Sequence, residues 1–139
     1  MKIVTAVAAV LFAGLAAAGC GQADASTGGG RHLQVVRLTA HHSHWSLAHL
    51  NVRRGATVRF VVRNTDPIDH ELIVGDAGVQ ERHEKGTEAK HGLRPGEITV
   101  PAGTTAVTEV RFDKAGPFFF GCHLPGHWAY GMHGTLTVT

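Results

Sequence analysis

Short runs in which apolar and polar positions alternate dominate the chain from about residue 31 onward. Val58, Phe60 and Val62 alternate with Thr57, Arg59, Val61 and Arg63, Val110 and Phe112 with Glu109 and Arg111, and Leu136 and Val138 with Thr135, Thr137 and Thr139. A period of two predicts strands with one buried face. Leu33–Thr39, Trp45–Val52, His70–Val74, Ile98–Val100 and Pro117–Gly121 are weaker strands of the same kind. Turn signals separate them at Arg54-Gly55, Asn64-Thr65-Asp66-Pro67, Pro95-Gly96, Pro101-Ala102-Gly103 and Lys114-Ala115-Gly116-Pro117. No segment of this region sustains a 3.6-residue apolar period. Seven or eight short strands, spaced by roughly ten residues, predict an all-β antiparallel sandwich or barrel. The exception is the polar stretch Gly78–Gly92, which reads as an excursion from the sandwich. It has room for a helical turn or two, with Glu81 and Lys85 at i,i+4, before Gly86 interrupts.

The first thirty residues follow different rules. Met1-Lys2 is followed by an uncharged run, Ile3–Ala18, shorter than the ~20 residues a spanning helix needs. With its small-residue exit it predicts an export signal over 1–19, a flexible tether over 20–30 and a domain over 31–139. Ala17-Ala18-Gly19-Cys20 resembles the bacterial lipobox, in which the cysteine is lipidated, although Ala17 stands where leucine is usual. Ordinary signal-peptidase cleavage at an Ala-x-Ala site is the alternative. The expected location is therefore the outer face of the cytoplasmic membrane, as a lipoprotein anchored through Cys20, or the periplasm or exterior.

Composition narrows the chemistry. The 139 residues carry 13 Lys+Arg against 11 Asp+Glu, a net charge of +2 that gives no nucleic-acid footprint. Two cysteines cannot make a disulfide framework, and Cys20, at the head of the tether, lies outside the domain. Cys122 is thus a lone thiol in an oxidising compartment, a liability unless it is buried or bound. The 11 histidines add candidate metal ligands.

The strongest signal is Gly121-Cys122-His123-Leu124-Pro125-Gly126-His127-Trp128-Ala129-Tyr130-Gly131-Met132. Thiol, imidazole and thioether fall at C-x4-H-x4-M in one loop between two strands. Blue-copper sites take two histidines and a cysteine in a plane, with a distant methionine on the axis. The second histidine must come from elsewhere, and His70 is available just after the turn Asn64–Pro67.

With these residues in place the domain resembles the cupredoxins, the blue-copper family of plastocyanin and azurin. Val52-Arg53-Arg54-Gly55, Val58–Arg63, Asn64 and His70 follow the order of the family's first half. Phe118-Phe119-Phe120, Cys122, Pro125-Gly126-His127, Gly131-Met132 and Gly134–Val138 follow its second half, with the longer Cys-to-Met spacing of auracyanin and rusticyanin. The resemblance implies a Greek-key sandwich and one type 1 copper held by His70, Cys122 and His127, with Met132 as the weak axial ligand. Glu71 departs from the asparagine that plastocyanin and azurin usually place there to tie the two ligand loops, which puts that tie in question.

The remaining histidines read as surface. His41, His42, His44 and His49 form a cluster that is either a second copper site or a solvated loop, and no spacing within it matches a metal pattern. His32, His83 and His91 sit in polar contexts. His83-Glu84 does not open H-E-x-x-H, because residue 87 is threonine. His123 follows Cys122, but Gly121 precedes it and only one H-x-H pair, His42 and His44, exists elsewhere, so the oxygen-reducing machinery of a multicopper oxidase is missing. Leu124, Pro125, Trp128, Ala129 and Tyr130 around His127 form either loop packing or an apolar docking patch. The expectation is a monomeric, non-enzymatic single-electron carrier. Its redox partners would be a membrane-associated cytochrome, oxidase or reductase. The alternative is a copper chaperone or storage protein.

Overall fold

The computed structural model describes residues 32–86, 91 and 94–139, so the expected export segment over 1–19 and tether over 20–30 lie outside the described residues. Nine strands and one helix follow in the order β1 (Leu33–His41), β2 (His44–Trp45), β3 (His49–Val52), β4 (Thr57–Asn64), β5 (His70–Gly75), α1 (Ala77–Glu84), β6 (Glu97–Val100), β7 (Thr105–Arg111), β8 (Gly116–Gly121) and β9 (His133–Val138). They form a four-stranded sheet, β2-β1-β4-β7, and a five-stranded sheet, β3-β9-β8-β5-β6. The β-sandwich is as expected, but its sheets are mixed: β1 runs parallel to β4 and β3 parallel to β9. Among the described residues no helix is long and apolar enough to cross a membrane.

The expected strand Trp45–Val52 is two strands, one in each sheet. The chain leaves the first sheet after Trp45 and re-enters the second at His49, a corner that local alternation cannot reveal. β1 and β2 meet in a hairpin with His42 and Ser43 at its tip, pairing Ala40 with Trp45 and His41 with His44. Both tip residues are left-handed, at φ 50° and 55°, as a two-residue hairpin whose twist matches its strands requires. Neither is a glycine, so the turn needs support from outside itself.

Alternation holds where one face meets the core. Val58, Phe60 and Val62 of β4 point inward with Val36 and Leu38 of β1, against Leu72, Val74, Phe120, Leu136 and Val138 of the other sheet. β5 breaks the pattern, because His70 to Val74 are all buried. Its second face is covered by α1, which packs on β5 and β8. Asp76 caps the helix by accepting from the Val79 N–H at 3.0 Å, and Lys85 pairs with Glu81 at 2.7 Å. The buried Gln80 amide donates to the Ile73 carbonyl at 3.3 Å and the Phe119 carbonyl at 3.2 Å, clamping the helix across two strands.

Gly134 lets β9 approach closely. A Cβ there would lie 2.7 Å from the Ala48 carbonyl oxygen and run into the Phe120 ring. Gly134→Ala is expected to cost about 1–3 kcal/mol, the usual cost of overpacking, seen as a lower urea midpoint for the metal-free protein.

Candidate metal centre

Three donor atoms meet at one end of the sandwich. The ring nitrogens of His70 and His127 and the sulfur of Cys122 all lie within 4.8 Å of one another. Cys122 Sγ is 3.3 Å from His127 Nδ1 and 4.0 Å from His70 Nδ1. His70 opens β5, Cys122 follows β8, and those strands are neighbours in the sheet, so pairing alone brings the two together. His127 comes from the loop between β8 and β9. The loop is pinched at its neck: Cys122 N–H donates to the Met132 carbonyl and Met132 N–H to the His127 carbonyl, both at 3.0 Å. Gly131, at φ 95°, turns the chain into Met132. The Met132 side chain is fully buried in a small cluster with Cys122, Ala40, Trp45 and Leu124. Trp45 Nε1–H donates to the Met132 carbonyl at 3.1 Å, so the sheet corner also steadies the loop.

His70 is oriented from behind. His70 Nε2 lies 2.8 Å from the Asp66 carboxylate, which leaves Nδ1 facing Cys122. Metal-binding imidazoles usually have their second nitrogen held in this way. The other acceptor positions of Asp66 take the backbone N–H groups of His42 at 2.7 Å and Ser43 at 2.8 Å. That carboxylate is the outside support the strained hairpin needs. Burial alone would raise the Asp66 pKa. The Ser43 N–H, the His70 side chain and the His42 N–H outweigh it and hold the carboxyl at about 2. Asn64 completes the arrangement, its Oδ1 accepting from Asp66 N–H and its amide donating to the Ile68 and Val100 carbonyls.

The missing asparagine tie is made by Glu71 itself. Its buried Oε1 accepts the His123 N–H at 2.9 Å, joining β5 to the residue after Cys122. Its Oε2 lies 3.0 Å from His91 Nε2. His91 is therefore not a surface residue. His83 is not either: its side chain is 9% exposed, with Nδ1 on the Val79 carbonyl at 2.8 Å. Both are covered because α1 folds the polar excursion back onto the sheet, a tertiary contact that local polarity does not report. The His123 side chain is buried between Gln80 and Glu84, each 2.8 Å from a ring nitrogen. Trp128 stacks on His123 and His133 with centroids 4.6 Å apart. Trp128 is thus loop packing, whereas Tyr130 is 77% exposed.

The cluster at His41–His49 stays open to solvent, with His41 and His49 resting on Thr65 and Thr135 hydroxyls. Among the described residues it forms no metal-holding group. Its structural contribution is backbone: the two N–H groups given to Asp66.

Burial lowers the His127 pKa, assisted by His70, and favours the neutral imidazole a metal requires. Burial pushes the Cys122 thiol up to about 11, against an ordinary 9.0. The site suits a thiophilic ion: two imidazoles, a thioether and a thiol that ionises only when something positive replaces its proton.

Comparison with known proteins agrees with this donor set. Residues 35–139 match the copper-binding proteins of the plastocyanin/azurin family, and the chain belongs to that family. Relatives include the copper-resistant cuproprotein CopI of Rubrivivax gelatinosus, 38% identical over 94 residues, covering 66% of this chain and 57% of the relative. CopI of Pseudomonas aeruginosa is 29% identical over 121 residues, covering 64% of this chain and 67% of the relative. The match thus spans little more than half the length of the first of them. In fold the chain is similar to reduced auracyanin of Roseiflexus castenholzii, with a TM-score of 0.65 and 17% identity over 76% of this chain and 97% of that one.

Two measurements probe this geometry. Asp66→Asn is expected to weaken copper binding by about 10–100-fold, the range for loss of a ligand-orienting partner, in competition with a coloured chelator. The second concerns the metal-free protein. The unfolded thiol ionises as pH passes 9.0 while the folded one keeps its proton to about 11. The folded state therefore holds more protons across that window, and stability is lost as pH rises through it. Urea midpoints should fall across that interval, and Cys122→Ala should remove that part of the slope.

Proposed function

We propose that this chain is an exported copper-handling protein that protects against excess copper by holding the ion at His70, Cys122, His127 and Met132. The observation that carries the reading is the buried Cys122 thiol, facing two imidazole nitrogens and packed beside the Met132 thioether. The printed name of the relatives, copper-resistant cuproprotein, supports it. Bound there, copper would supply a one-electron centre that the donor set tolerates in both oxidation states.

The chain's own residues do the rest. Cys122 gives up its proton as the ion enters and becomes the strongest donor. Asp66 holds His70 with Nδ1 forward, and Glu71 holds the Cys122 loop against β5. Met132 and Leu124 close the inner side and keep water from the thiolate. Nothing in this proposal requires a substrate or turnover, and the protein acts as a monomer. The leader over 1–19 and the tether over 20–30 support export, with lipidated Cys20 as the anchor.

Electron transfer to a membrane-associated redox partner is the second reading. It is favoured by one observation: His127 is only partly buried, on a loop whose Pro125 and Tyr130 are exposed.

The discriminating experiment expresses the full chain, wild type or Cys122→Ser, in a bacterium made copper-sensitive by loss of its own copper-resistance protein. Wild type is expected to restore growth at raised copper and Cys122→Ser to fail. Copper tolerance unchanged by wild type, together with rapid reversible electron exchange with a membrane cytochrome, would overturn the protective role in favour of the second reading.

A further inference from the structure

A second group of metal-binding side chains lies outside the centre just described. His83 near the end of α1, His91 beyond it and Glu97 at the start of β6 bring a ligand atom each to within 4.8 Å of one another. Their chemistry differs from the first centre: two imidazoles and a carboxylate, with no sulfur.

The ring orientations distinguish this group from a chance cluster of polar residues. His83 Nδ1 lies 2.8 Å from the Val79 carbonyl, an acceptor only, so that nitrogen carries the hydrogen in the neutral ring. His91 Nε2 lies 3.0 Å from the Glu71 carboxylate, which likewise draws the hydrogen to that side. The lone pairs are left on His83 Nε2 and His91 Nδ1. Those are the atoms that face Glu97 Oε2, at 3.6 and 3.9 Å. A carbonyl or carboxylate behind each imidazole, with the lone pair forward, is how proteins prepare histidines for a metal. Donors about 2.0–2.1 Å from a common ion stand a little over 3 Å apart, so these separations need only a small contraction.

We infer that His83, His91 and Glu97 form a second metal site, for a divalent first-row ion bound by nitrogen and oxygen, with Cu(II) held most tightly. The preference follows from the stability order of such sites, which peaks at copper. Side-chain exposures of 9%, 1% and 15% place the site just beneath the surface. Arg94, whose Nη1 is 3.5 Å from the same Glu97 oxygen, is mostly exposed and would release that oxygen to the ion. Glu71 joins the two centres, since one oxygen holds His91 and the other holds the N–H next to Cys122. The inference stands apart from what the first centre does with its copper.

The test loads the full chain with excess Cu(II), desalts it, counts metal by mass spectrometry and records visible and paramagnetic resonance spectra. Wild type is expected to retain two copper ions, one with the intense thiolate band and one with the wide hyperfine splitting of nitrogen/oxygen coordination. His83→Ala should lose the second ion and its signal while keeping the band. A wild type that retains only the thiolate-bound ion, or a His83→Ala variant that keeps both, overturns the inference. If His83→Ala loses the band as well, Glu97→Gln decides. At least tenfold weaker binding of the second ion supports the site, and unchanged binding overturns it. The band reports Cys122 and the wide splitting reports the second site, so failure of one assignment is readable apart from the other.

Discussion

A carboxylate taken out of water must be surrounded by hydrogen-bond donors, and two such groups flank His70. Asp66 is satisfied by two N–H groups of the β1–β2 hairpin and one imidazole, Glu71 by one N–H of the Cys122 loop and another imidazole. An unsatisfied buried charge would cost several kcal/mol or more, so these donors are not optional. Segments that share no strand register are thereby drawn to one place: the first hairpin, the turn before β5, the helix region and the loop after β8. The donor geometry at Cys122 follows from meeting these demands.

This arrangement also explains how histidines are apportioned. Two face the thiol, two more, one on the helix and one beyond it, meet Glu97, and His123 is wedged against Trp128. The four in the first cluster are exposed, and of them His42 contributes through its backbone N–H to Asp66. A count of histidines therefore says little. What fixes His70 and His91 in place is an acceptor at the second ring nitrogen, Asp66 for one and Glu71 for the other, which local polarity does not reveal.

The sandwich and the thiol-centred site were legible because both depend on local signals. β4 alternates cleanly since one face is wet, and C-x4-H-x4-M lies in one loop. β5 was recognisable as a strand but not as one buried on both faces, because its cover, α1, arrives from a segment with no apolar stripe. The helix is fastened by the Gln80 amide and by Val79 over Gly75, neither of which stands out in a polar stretch. The split of Trp45–Val52 was hidden for a related reason: a strand that changes sheet keeps its apolar residues. Parallel pairing of β1 with β4 is likewise a matter of topology, not pattern. Glu71 was visible as a departure from the family habit, yet its partners, His123 N–H and His91, could only be found in three dimensions.

The pairing of β3 with β9 sets an order of events. Residues 49–52 find their partners at 135–138, and His49 reaches Thr135 across 86 positions. The second sheet therefore cannot close until β9 is in place, and loops of that span close slowly. Cys122, His127 and Met132 are gathered locally by the pairing of β8 with β9, whereas His70 is added by the pairing of β8 with β5, so the full donor set needs both contacts. Cys122 is fully buried only when this sheet has closed, so docking of β9 shields the thiol as much as it completes the core.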